Sequence, residues 1–86
     1  MASIDEVRAG LYAGNELANE ALGALQQAHA CCEKTQDVWI RTTEGSGQAD
    51  VSTANGLIAQ AVASIEEVRQ QVSAAISTSE DVGNRL

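Results

Sequence analysis

Small and apolar residues recur at steps of three and four on both sides of the segment Thr43-Glu44-Gly45-Ser46-Gly47-Gln48. Ahead of it run Ile4, Val7, Leu11, Gly14, Ala18, Ala21, Leu25, Ala28, Cys32, Thr35 and Trp39. Behind it run Val51, Ala54, Ile58, Ala61, Ile65, Val68, Val72, Ala75, Ser79, Val82 and Leu86. Taken outward from the segment, the two series pair term by term: Trp39 with Val51, Cys32 with Ile58, Leu25 with Ile65, Leu11 with Ser79, Ile4 with Leu86. The fold point of that pairing is Glu44-Gly45. Two helical seams of equal length and opposite sense predict an all-α fold, an antiparallel two-helix hairpin of the coiled-coil type.

Local signals set the bounds of one domain covering 1–86. Ser3 with Glu6 forms a capping box, and Asp5 and Glu6 suit the positive end of the helix dipole, so helix 1 spans about 3–43. Gly45 can close that helix in the left-handed conformation within a turn at 44–47, and Ser46 is the candidate N-cap of the next helix. Helix 2 then spans about 48–82, with Gly83-Asn84 as its stop. Gly10, Gly14 and Gly23 fall inside helix 1 at about 1 kcal/mol each relative to Ala. Close helix approach at Gly10 and Gly14 would offset that cost; a weakened helix near its end is the other reading.

Lettering Ile4 as a of a heptad, the g row of helix 1 is Gly10, Leu17, Ala24, Cys31 and Val38, with no charge in it, and Leu57 of helix 2 faces the same side. The e row is mixed: Arg8, Asn15, Leu22, His29 and Gln36 on helix 1, then Asn55, Val62, Arg69 and Ile76 on helix 2. In a two-stranded coil both rows are ordinarily charged. An apolar stripe widened to a/d/g or a/d/e belongs to a bundle member, so the hairpin is expected to pair into a four-helix bundle. The expected partner is a second copy, or another helical protein, across an interface of Leu17, Ala24, Cys31, Val38, Trp39, Leu57, Val62 and Ile76.

Composition narrows the function. Twelve acidic against five basic residues give a net charge of −7, which disfavours nucleic acid and anionic membrane surfaces. No apolar run has the length of a membrane span, and Met1-Ala2-Ser3-Ile4-Asp5-Glu6 is unlike a signal peptide. A cytoplasmic protein is expected, or one exported without a cleaved signal. With no Phe, one Trp and no Pro, the chain suits uninterrupted helices better than a bulky globular core.

Chemistry has few candidates. His29 and Cys32 share a helical face three residues apart and could reach one metal, with Cys31 beside them, but a lone cluster is weak zinc evidence and core packing is the default. No cofactor and no small-molecule substrate are expected. A single His, no Gly-rich phosphate loop and acids spread along helical faces point away from an enzyme. Glu16 and Glu20, like charges one turn apart, are ordinary surface charges. Trp39 sits on the seam one turn before the loop, where it plugs the turn end; its other role would be to anchor a partner beside Val38, Ile40 and Leu57.

A chain of this length, with two antiparallel helices and Trp39 ahead of a glycine-containing turn, resembles the WXG-type helical-hairpin proteins of type VII secretion. Where that family carries Trp-x-Gly, this sequence reads Trp39-Ile40-Arg41, with its turn glycine at Gly45. The segment from Thr43 to Val51 and the opening from Met1 to Val7 are also similar to small actinobacterial helical modules at the N-terminus of polymorphic toxins. The resemblance implies a secretion or toxin-associated adaptor, with any toxic activity on another domain. A purely structural coiled-coil subunit without cargo is the alternative.

Overall fold

The computed structural model describes residues 2–86. Two α-helices, α1 (Ile4–Thr42) and α2 (Ala49–Arg85), pack lengthwise against each other in an antiparallel hairpin. With 39 and 37 residues, the helices make a rod of 63 × 18 × 16 Å. Its radius of gyration is 19.3 Å, against about 12 Å for a compact domain of this length.

The ends follow local chemistry. Ser3 caps α1, its hydroxyl accepting from the Glu6 amide at 3.1 Å, while Asp5 and Glu6 occupy the first turn. Ser3→Ala is therefore expected to cost about 1 kcal/mol of stability, read as a lower denaturant midpoint with an unchanged slope; an unaltered midpoint would mean that the cap contributes nothing. Gly45 adopts φ +84°, the left-handed conformation that glycine takes without Cβ strain. Two local expectations are corrected. The N-cap of α2 is Gln48, in extended conformation, and Ser46 instead accepts from the Gln48 amide at a long 3.5 Å. Gly83-Asn84 does not stop α2, which continues to Arg85. Gly83 lies against α1, where a Cβ built on it would be 3.9 Å from Leu11 Cδ1, so the neighbouring helix supports the last turn.

The seam differs from the predicted one in a single respect. Its a row is as expected: Leu11, Ala18, Leu25 and Cys32 on α1, and Val51, Ile58, Ile65 and Val72 on α2, are half-buried. The second row is e, not d. Asn15, Leu22, His29 and Gln36 are half-buried, as are Asn55, Val62 and Arg69, and Ile76 is the one buried residue among those described. Of the d row, Val7, Gly14, Ala21, Ala28, Val68 and Ala75 are exposed, while Thr35, Ala54, Ala61 and Val82 are half-buried along the seam edge. Size decides between the rows. Leu22, Val62 and Ile76 each hide two or three more carbons than the Ala or Gly of row d, at about 0.8 kcal/mol per methylene. The polar members of row e cost little in a two-helix layer open to water: among the described residues no buried side-chain polar atom lacks a partner.

Leu11 lies with the expected Ser79 and also meets Gly83 one turn further along α2, Trp39 lies with the expected Val51, and His29 reaches Glu66. At the turn end the Asn55 amide donates to the Thr43 hydroxyl across the hairpin at 3.3 Å. The close helix approach expected at Gly10 and Gly14 is absent: a Cβ at either would meet nothing within 4 Å, because their rows point away from α2.

Candidate functional site

Sorting the helix surface by heptad row separates its charge. Every acid and base of the two helices lies on rows b, c, e or f, apart from Asp50 and Arg85 at the two ends of α2. Between Val7 and Val38, and again between Ala54 and Val82, rows d and g carry none. Two contacts establish how the rows are disposed about the hairpin. His29 Nδ1 lies 3.0 Å from Glu33 Oε1, on row b of α1, and its Nε2 lies 3.9 Å from Glu66 Oε2, on row b of α2. One imidazole thus touches the b rows of both helices, so both border the same edge of the seam. The d rows of both helices consequently border the opposite edge, as antiparallel heptad geometry requires.

The hairpin is two-faced. One face carries the row-b acids Glu33, Glu66 and Glu80, with the Glu66 carboxylate accepting from Arg69 at 2.6 Å, while Glu67 and Asp81 of row c stand on the outer side of α2 beside row g. The other face combines rows d and g of both helices. Its small members are Gly10, Gly14, Ala21, Ala24, Ala28, Ala54, Ala61 and Ala75. Between them stand large aliphatic side chains left open to solvent: Leu17 at 66%, Leu57 at 61%, Val38 at 50%, Val68 at 41% and Val7 at 37% exposure. Isolated exposed apolar residues are ordinary; here they share a strip free of charge between the ends Asp50 and Arg85 of α2, with Ser64, Gln71 and Thr78 among its polar members.

At the turn end this face opens into a shallow, mostly apolar groove formed by Trp39, Thr43, Asp50, Val51, Ala54 and Asn55. Trp39 is 41% exposed. It borders the seam between Thr43 and Asn55 and keeps one side toward solvent.

The expected interface is partly redrawn. Leu17, Ala24, Cys31, Val38 and Leu57 are exposed on the uncharged face. Val62 and Ile76 are not on it, because both turn into the seam against α1, Ile76 at only 7% exposure. Row d, expected in the seam, carries no charge beside row g, which is legible in the sequence. His29 and Cys32 are both half-buried seam residues, with His29 turned toward two carboxylates. No group of three or more metal-ligating side chains comes together among the described residues. Tyr12, on the charged side, has its hydroxyl pushed above the ordinary tyrosine value by a hydrogen bond to Glu16 and by that residue's negative charge. No described helix is long and apolar enough to cross a membrane.

Comparison with known proteins returned no match to any protein family, curated protein or solved structure.

Proposed function

We propose that the chain is a non-enzymatic interaction module that works by docking its uncharged face, and that it serves as a WXG-like secretion or toxin-associated adaptor. The observation that carries this is the segregation just described: five large aliphatic side chains stand exposed on the one strip from which charge is missing. A solvated helical surface ordinarily distributes Lys and Glu around its whole circumference. A strip of aliphatic and small residues fits the helix-against-helix mode of recognition, in which anchors recur at three- and four-residue spacing. The resemblance of Trp39 and the Gly45 turn to the secreted helical hairpins supplies the biological context.

Recovery of the tagged chain from its source cells tests the adaptor. A secretion component or toxin chain should accompany the wild type and be lost from Leu17→Glu. Recovery of the chain alone, from a locus with neither gene beside it, would favour an assembly subunit without cargo.

A further inference from the structure

Asn55 is the one asparagine of the chain that glycine follows; Asn15 and Asn19 precede glutamates and Asn84 precedes Arg85. The Asn55-Gly56 pair lies in the second turn of α2, on a weakly secured stretch. The N-cap Gln48 makes no side-chain bond to the helix. The first backbone bond, from the Ser52 amide to the Gln48 carbonyl, is long at 3.4 Å. Gly56 itself favours the unwound chain, and nothing stands within 4 Å of the place of its Cβ. Asn55 is half-buried and heads a directional relay. Its Nδ2 donates to the Thr43 hydroxyl at 3.3 Å, and that hydroxyl donates in turn to the Trp39 carbonyl. Among the described residues it is the only side-chain hydrogen bond that joins the two halves of the hairpin.

We infer that Asn55 is a deamidation site, gated by opening of the first two turns of α2, and that its product breaks the relay beside Trp39. The Gly56 amide nitrogen attacks the side-chain carbonyl carbon of Asn55, and the side-chain amide leaves as ammonia, taking up the proton released from that nitrogen. Water then opens the resulting succinimide at one of its two carbonyls, leaving aspartate or isoaspartate at position 55. Water is the only co-reactant. In the closed helix the Gly56 amide is committed to the carbonyl four residues back, so the attack waits for the helix to open. Glycine favours the step because no side chain hinders the nitrogen and the backbone can turn to close the ring. The consequence follows from counting donors. The asparagine amide donates, whereas a carboxylate only accepts. With the Thr43 hydroxyl committed to Trp39, a carboxylate at position 55 faces an acceptor oxygen. The hydroxyl can turn toward it only by giving up the Trp39 carbonyl, so a bond at the turn end is lost in either case. The new charge also enters the groove that Asp50 already borders.

The experiment ages the full chain in mildly alkaline buffer and follows the exchange of NH2 for OH at each asparagine by peptide mass mapping. Asn55 should convert roughly tenfold faster than Asn15, Asn19 or Asn84, and faster still when urea unfolds the chain. Gln48→Asp, which supplies the missing cap, should slow the conversion roughly fivefold by lowering the open population. Gly56→Ala, which firms the helix and hinders the nitrogen, should slow it roughly tenfold. Conversion of Asn55 no faster than that of the other asparagines overturns the site. A rate that neither urea nor Gln48→Asp changes overturns the gate. For the consequence, Asn55→Asp should move the emission of Trp39, the only tryptophan, to longer wavelength while the helical circular dichroism is retained. Ser52→Asp adds the same charge on the opposite face and should leave the emission in place. Emission equal to the parent's in Asn55→Asp, or shifted as far in Ser52→Asp, overturns the loss of the relay. The docking role of the uncharged face is independent of these outcomes and is tested separately through Leu17.

Discussion

Ile76→Asp should leave the chain largely unfolded, with its helical circular dichroism lost at room temperature. Ile76 is the single buried side chain among those described, at 7% exposure. Replacing it removes a branched aliphatic from the seam and puts a carboxylate there opposite α1. The aliphatic loss alone costs about 2–5 kcal/mol, and the stranded charge adds to it. A domain of this size holds roughly 4–13 kcal/mol in total, and one with so small a core belongs at the low end. Ala74→Asp, two residues earlier on the exposed c row, should leave the denaturation midpoint nearly unchanged. Equal stability of the two variants would show that row e of α2 does not face α1.

The second large effect is a gain. Gly23→Ala combined with Gly56→Ala should raise stability by about 2 kcal/mol, since each interior helical glycine costs about 1 kcal/mol relative to alanine. That corresponds to a melting temperature higher by about 10 °C in a domain of this length. Both glycines lie on the f row, away from the seam and from the uncharged face, and a Cβ at either meets nothing within 4 Å. They sit on different helices and share no partner, so their effects should add. A fall in melting temperature would mean that something packs against the back of the hairpin.

The hairpin was legible in the sequence because its determinants are local. The Ser3 cap, the left-handed Gly45 and the a row of each helix all follow from spacing and residue type, and each is where the sequence places it. The choice between rows d and e was not legible from spacing. Both rows stand three or four residues from row a, so either completes a heptad seam. Asn15, His29, Gln36, Asn55 and Arg69 made row e look solvent-facing. In a hairpin without a third layer those side chains reach water past the seam edge, while Leu22, Val62 and Ile76 supply the burial that the Ala and Gly of row d cannot. The same exchange changes which expected interface residues are open to solvent: Leu17, Ala24, Cys31, Val38 and Leu57 of row g are exposed, whereas Val62 and Ile76 of row e turn into the seam.

Chain doubling is tested most directly by a cross-link between Leu11→Cys and Gly83→Cys with Cys31 and Cys32 replaced by serine. In the hairpin these positions face each other, with Leu11 Cδ1 3.9 Å from the place of a Gly83 Cβ. Mild oxidation should therefore close an intrachain disulfide at low protein concentration. In one unbroken helix the same residues would stand about 108 Å apart at 1.5 Å per residue. Absence of the intrachain bond, with free thiols or only interchain links recovered, would contradict the doubled-back fold.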